Sequence, residues 1–230
     1  FRHKDLTKRL LFVAFILVLT RVLANIPIPE VNLDQIDAFF QQNQVFGLVN
    51  LFSGGGLSNF SIGMMNVFPY ISAAIIIQLL TFSIPSLEQL RKEGGEIGRR
   101  KISQYTRLLT VPLAAIQAFA MVKLLQSQTV GGAPIVGQFS LEQWLVVIIT
   151  MTAGTILIMW LGELITENGV GNGISIIIMA SILAGLPGAL GQAFQASVGG
   201  ADLGNLLVIG GVALVTALAI VFVTEGTRNI

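Results

Sequence analysis

The stretch "LVNLFSGGGLSNFSIG", residues 48–63, decides how the rest of the chain is read. It sets three consecutive glycines, three serines and two asparagines between two long apolar runs. Leu48, Val49, Leu51, Phe52, Leu57, Phe60 and Ile62 nevertheless alternate with the polar residues, so the segment is half-apolar. It is too broken to span a bilayer and too greasy for a hydrated loop. Irregular backbone at membrane depth is tolerated only where protein buries it or where it lines a watery cavity, which suits a short re-entrant or capping element. The alternative is an outer loop lying on the headgroups.

The surroundings of that stretch are membrane-like. Of the 230 residues, 53% are hydrophobic and 11% charged, and the mean hydropathy is +0.80; this places the chain among multi-span membrane proteins. Six runs, 10–29, 66–85, 106–125, 141–162, 173–190 and 205–224, are long enough to cross about 30 Å of hydrocarbon, or nearly so. Cysteine is absent, which excludes disulfides, thiol nucleophiles and thiolate metal sites. The first run is expected to stay in the membrane, because Pro27 and Pro29 follow it without a small-x-small cleavage site. Phe1 at the start and "EGTRNI" at the end suggest the front part of a longer protein.

Lysine and arginine set the expected orientation, since basic residues are retained on the cytoplasmic side. Arg2, Lys4, Lys8 and Arg9 precede the first run; Arg91, Lys92, Arg99, Arg100, Lys101 and Arg107 lie around the second connection; Arg228 follows the sixth run. Neither 22–90 nor 124–227 holds a basic residue. Both termini and the loop at 86–105 are therefore expected inside, and 30–65, 126–140 and 191–204 outside. By counting, 163–172 is inside although it carries Glu163 and Glu167 and no basic residue.

Enzyme chemistry is poorly supplied. The single histidine, His3, sits near the basic terminus, and no metal-ligand set or cofactor motif is present. "GVGNG" at 169–173 lacks a preceding strand and a following Lys-Ser/Thr, so it reads as a turn with Asn172 as N-cap of the fifth span, not as a phosphate loop. Arg21 alone lies well inside a run; an intramembrane charge marks function, or the side chain snorkels to the interface. Lys123 and Glu163 are near span ends, and no midplane carboxylate supports an ion-coupled transporter. Val67, Ile71 and Ile75 share one face of the second span, and Ile174 and Ile178 one face of the fifth; such stripes are ordinarily packing or lipid-facing surface. Ser72, Gln78 and Thr81 make the second span polar enough to line an interface that opens. Gly154, Gly185, Gly210 and Gly211 suggest close helix packing.

"LFSGGGLSNFSIG", "PYISAAIIIQLL", "GRRKISQYTR", "WLGELITENGVGNGISIIIM" and "TEGTRNI", in this order and over essentially the whole chain, resemble the SecY family of bacterial protein-conducting channels. The resemblance implies an all-α polytopic membrane protein. Six transmembrane helices and a short re-entrant plug helix at 48–62 would form one half of an inverted-repeat clamshell, residues 1–190, plus the first helix of the second half, 205–230. It implies a plug containing Leu51, Phe52, Ser53, Gly54, Gly55, Gly56, Leu57 and Ser58, and a pore constriction of Val67, Ile71, Ile75, Ile174 and Ile178. Ser72, Gln78 and Thr81 would belong to a lateral gate, and Arg91, Lys92, Arg99, Arg100 and Lys101 to a cytosolic partner surface. It further implies a non-enzymatic role in the bacterial plasma membrane, with a cytosolic N-terminus and no cofactor or metal. The implied partners are SecE- and SecG-type small subunits, the SecA motor ATPase or a ribosome, signal sequences, translocating polypeptides and the lipid bilayer. The competing reading is a fragment of a secondary transporter built on a similar inverted repeat.

Overall fold

The computed structural model describes residues 2–28, 36, 39, 50, 53–92, 94–130, 133–198 and 203–225. Its helices, in order, are α1 (Arg2–Asn25), α2 (Phe68–Ser83), α3 (Pro85–Lys92), α4 (Gly95–Gln126), α5 (Leu141–Asn168), α6 (Gly173–Val198) and α7 (Leu203–Glu225). Two strands of two residues each, β1 (Thr129–Val130) and β2 (Ala133–Pro134), pair antiparallel in the connection after α4. The fold is all-α, and each of the six apolar runs is carried by a helix. By length and composition α4 and α5 are each sufficient to cross a membrane, and α2 with α3, sharply bent at their junction, is together apolar enough for a broken span or a re-entrant loop. The chain divides into two compact units, Phe1–Gly185 and Leu186–Ile230.

Several helices overrun their apolar cores. The 86–105 segment, expected as a loop, is α3 followed by the first turns of α4. Its residues, "SLEQLRKEGGEIGRRKISQY", are mostly good helix formers that happen to be polar, so an apolar-run criterion stops short of them. At 32 residues, α4 is about 48 Å long, well beyond the hydrocarbon thickness. Between α2 and α3 the axis turns by 100° at Ile84; Pro85 cannot donate to the α2 ladder and disfavours helical backbone in the residue before it.

Helix ends are set locally. Ser140 and Gln143 form a capping box at the start of α5, with Gln143 N–H donating to Ser140 Oγ (3.3 Å) and Ser140 N–H to Gln143 Oε1 (2.7 Å). Asn172 caps α6, as its place in "GVGNG" suggests: Ser175 N–H donates to Asn172 Oδ1 at 3.2 Å.

Within the first unit α1 packs on α5, α5 on α4, and α4 on α2 and α3. α1 turns Val13, Ile16, Thr20 and Ala24, spaced three or four residues apart, into the bundle. At the far end of α4, Trp144 stacks against Phe119 (5.0 Å between centroids) and Phe139 (5.7 Å), with the Lys123 ammonium 4.9 Å above its ring. An amphipathic aromatic with a basic neighbour is what a membrane–water boundary favours. Gly154 of α5 serves close packing, against the backbone of Ile62 and not another helix. Among the described residues, a Cβ added at Gly210 or Gly211 would meet nothing within 4 Å, so the packing expected of those two glycines is not made within α7's own surroundings.

Candidate functional site

The 53–67 segment is where the elements of the first unit converge. Of the opening stretch, residues 48, 49, 51 and 52 lie outside the described residues, including the plug positions Leu51 and Phe52. Asn50 and Ser53 are helical, but from Gly54 to Phe60 the backbone is a succession of turns, so the helix expected over 48–62 does not continue past Ser53. The glycine run explains the difference: Gly54 (φ +68°) and Gly55 (φ +84°) occupy the left-handed region, which no regular right-handed helix passes through.

These turns satisfy their own polar groups. Gly55 N–H donates to Asn50 O (3.0 Å) and Ser61 N–H to Gly56 O (3.0 Å). Ser58 N–H donates to Asn50 Oδ1 (3.0 Å), Ser53 Oγ to Asn50 O (2.9 Å) and Ser58 Oγ to Gly55 O (3.0 Å). A segment that closes its hydrogen bonds internally can be buried without stranding donors or acceptors. It is buried: Ser53, Leu57, Phe60, Ser61, Met64 and Val67 are all 2% exposed or less.

Two apolar cores meet there. Leu57, Phe60, Met64 and Met65 pack with Ala118, Val122 and Leu125 of α4, Ile135 and Val136, and Val147 and Met151 of α5. Val67 instead joins Val13 and Ile16 of α1, Ile158, Leu161 and Ile165 of α5, and Ile177 of α6. Ile71, Ile174 and Ile178 are half-buried against this second core, so four of the five aliphatic stripe residues share one cluster. Ile75 stands apart at 53% exposed. α5 and α6 come together through Gly162 and Gly173, whose missing side chains leave room for Ile174 Cδ1 and Ile165 Cβ.

Polar contacts tie the segment to its surroundings. A short antiparallel bridge joins Pro27 to Ser61, with Ile28 N–H donating to Phe60 O (2.9 Å) and Ile62 N–H to Ile26 O (3.0 Å). Asn66 Nδ2 donates to Ser181 Oγ of α6 at 3.0 Å, both residues being buried. Asn59 Nδ2 donates to Asn25 Oδ1 at 3.1 Å. Arg21 does not snorkel: its Nη1 donates to the Gly54 carbonyl at 2.6 Å.

The remaining expected positions fall along α2, α3 and α4. Ser72 donates to Phe68 O (3.1 Å) and accepts from Gln117 Nε2 of α4 (3.3 Å). Thr81 is buried, donating to Ile77 O at 2.7 Å. Gln78 and Thr81 line a cleft of about 480 Å3 that Tyr70, Arg91, Arg99 and Thr106 also border. Arg91, Lys92, Arg99, Arg100 and Lys101 are all exposed. Arg91 lies 4.7 Å over the Phe82 ring, and Lys92 pairs with Glu88, whose carboxyl is held below its ordinary range by that hydrogen bond and charge.

One pair escaped the reading of the sequence. Arg107 Nε of α4 lies 2.6 Å from Glu163 Oε1 of α5, an ion pair between the two helices. The signal was available: α4 and α5 are antiparallel neighbours, so a cation early in one and an acid late in the other fall at the same depth.

Among the described residues no group of histidines and carboxylates could hold a metal ion. The site is an apolar cluster and a glycine-rich turn, suited to obstruction and movement. Known proteins resemble this chain in fold and in sequence. Its fold resembles that of Sec61 in the canine ribosome–channel complex from the endoplasmic reticulum, with a TM-score of 0.64 at 18% identity over 95% of this chain and 48% of that one. The protein translocase subunit SecY of Pseudomonas aeruginosa is 46% identical over 98% of this chain and 50% of its own length, and that of Streptomyces galbus 43% identical over 100% and 54%. The chain thus spans about half the length of the curated relatives it matches. The SecY family model matches residues 61–230, and with those relatives it shows that the chain belongs to the SecY family.

Proposed function

We propose that the chain forms the first half of a protein-conducting channel subunit that passes unfolded polypeptides across the bacterial plasma membrane and releases apolar segments sideways into lipid. The observation that carries this reading is the aliphatic face left half-open beside the buried turn. Ile71, Ile174 and Ile178 are each seated on a core on one side only, with Ile75 uncovered next to them. A second, inverted half facing this surface would enclose a ring of branched aliphatic side chains, with Val67 at its base. Such a ring dewets when empty and yields around any passing sequence, because it offers no hydrogen bond or charge that would trap one.

In this reading residues 1–190 are the first inverted repeat, and 205–230 begins the second with the next helix. The 48–62 stretch is the plug, which a translocating chain displaces. Ser72, Gln78 and Thr81 lie on the edge of α2 that a signal sequence would pass. The exposed basic run on α3 and α4 faces the cytosol with the N-terminus and receives SecA or a ribosome; SecE- and SecG-type subunits complete the assembly. No catalytic step or cofactor is required of the chain.

Resting ion conductance of the complete channel in a planar bilayer tests the ring. Ile71→Ser and Ile174→Ser should each raise it, and the double change most, because hydroxyls wet the seal. Leu145→Ser, on an exposed face of α5, should leave it unchanged. A silent double variant would make the stripe packing surface only.

A further inference from the structure

We propose that Arg21 is the latch of the glycine turn: its guanidinium holds the Gly54 carbonyl, and the turn opens by swinging about the backbone bridge between 26–28 and 60–62. The inference rests on the plug reading of 48–62 and assigns it a residue from α1 and a hinge.

The evidence is an asymmetry in how the turn is held. At 60–62 two backbone hydrogen bonds and the Pro27–Ser61 bridge fix the strand, and Asn59 is tied to Asn25 beside them. At 53–58 the other polar contacts stay within the stretch 50–61, to Asn50, Ser53, Gly55 and Ser61; among the described residues the exception is Arg21. One end of the turn is therefore stapled to α1 by several polar contacts, whereas the other has a single polar tie to the helices, beside the apolar packing of Leu57.

The site of that tie is built for a guanidinium. Gly54 has φ +68°, and a Cβ there would lie 2.5 Å from Arg21 Nη1 and 3.1 Å from Ser181 Cβ. Only glycine lets the carbonyl come between α1 and α6 this closely. A charged donor on a carbonyl is roughly twice as strong as a neutral pair, which suits a single holding contact. The acceptor is uncharged, and among the described residues Arg21 makes no ion pair. Breaking the contact consequently strands no counter-charge. The released guanidinium faces an open depression along α1 lined by Leu17, Val18, Val22 and Asn25.

The test uses the complete channel in membrane vesicles with Ser58→Cys as the one reactive thiol, read as its rate of alkylation by a membrane-impermeant maleimide. Loss of a charge-assisted hydrogen bond should raise the resting rate by about tenfold or more in Arg21→Met. Gly54→Ala drives a methyl into the guanidinium while Arg21 stays in place, so it should give the same rise and serves if Arg21→Met fails to accumulate. A disulfide across the bridge, from Pro27→Cys with Ser61→Cys, should leave the Arg21→Met rate high. Rates within twofold of the parent for both latch variants overturn the latch, and suppression by the bridge disulfide overturns the hinge. Adding a secretory precursor to the parent separates this from the plug reading. A precursor-induced rise with inert latch variants removes the latch alone. A parent indifferent to precursor, with reactive latch variants, keeps the latch and removes the plug.

Discussion

Replacing Gly154 by alanine should destabilise the protein even though alanine is the better helix former. The added Cβ would sit 2.6 Å from Ile62 Cγ2 and closer still to the Ile62 carbonyl oxygen. Carbon atoms rest about 3.5–4.0 Å apart, so the backbone at 62 has to retreat by about 1 Å. Overpacking of this kind costs about 1–3 kcal/mol, and a backbone obstacle belongs at the upper end because it cannot rotate away. Alanine returns about 1 kcal/mol of helix propensity, leaving a net loss of about 2 kcal/mol. The displacement does not stay local. Ser61 is bonded to the Gly56 carbonyl through both its amide and its hydroxyl, so a shift at 62 is passed to the glycine turn. Thermal denaturation of the complete subunit in detergent measures the loss as a midpoint several degrees below the parent. Ala153→Leu, an enlargement on the exposed side of the same turn of α5, should sit near the parent. If Gly154→Ala matches or exceeds the parent midpoint, α5 and the 53–67 segment are not in contact as described.

Two further outcomes are expected. Arg107→Met leaves Glu163, only 19% exposed, without its cation and should cost about 1–3 kcal/mol, less than a deeply buried pair because Arg107 is 41% exposed; Glu163→Gln should be milder, and the double variant Arg107→Met with Glu163→Gln should recover part of the loss in the same denaturation assay. For sidedness, Ser86→Cys in α3 should react with an impermeant thiol reagent from the cytosolic face only and Gln138→Cys, before α5, from the opposite face only; labelling of both from one side breaks the arrangement drawn from the basic residues.

Helix positions were legible because membrane burial demands long apolar runs, and each run is carried by a helix. The ends were not, since α3 and the start of α4 are polar segments stabilised by propensity and by contact with α2. The alternation of apolar and polar residues in 48–63 left a re-entrant element and an outer loop on the headgroups both open; the described residues 53–63 are largely buried. The turn conformation needed the positive φ of Gly54 and Gly55, which a glycine run permits without dictating. Arg21 was conspicuous as a lone charge, but its acceptor is a backbone carbonyl 33 residues away, and carbonyls carry no signature in a sequence. The i, i+4 spacing correctly grouped Val67 with Ile71 and Ile174 with Ile178. It could not tell that Val67 is sealed while Ile75, on the same face, is uncovered, because that difference depends on neighbours brought up by the fold, which spacing along one helix does not encode.

The bridge between Pro27 and Ser61 has one further consequence, for how this region tolerates change in length. Residues 28 and 60 are joined by a backbone hydrogen bond, so the chain between them is closed at that point. Doubling the length of a flexible loop closed in this way adds only about 0.6 kcal/mol of closure entropy. Changes of length between Phe39 and Asn50 should therefore leave α1 and α2 in place, provided that Ile36 and Phe39, which are buried in the apolar core, and Asn50, which accepts from Gly55, Ser53 and Ser58, are kept.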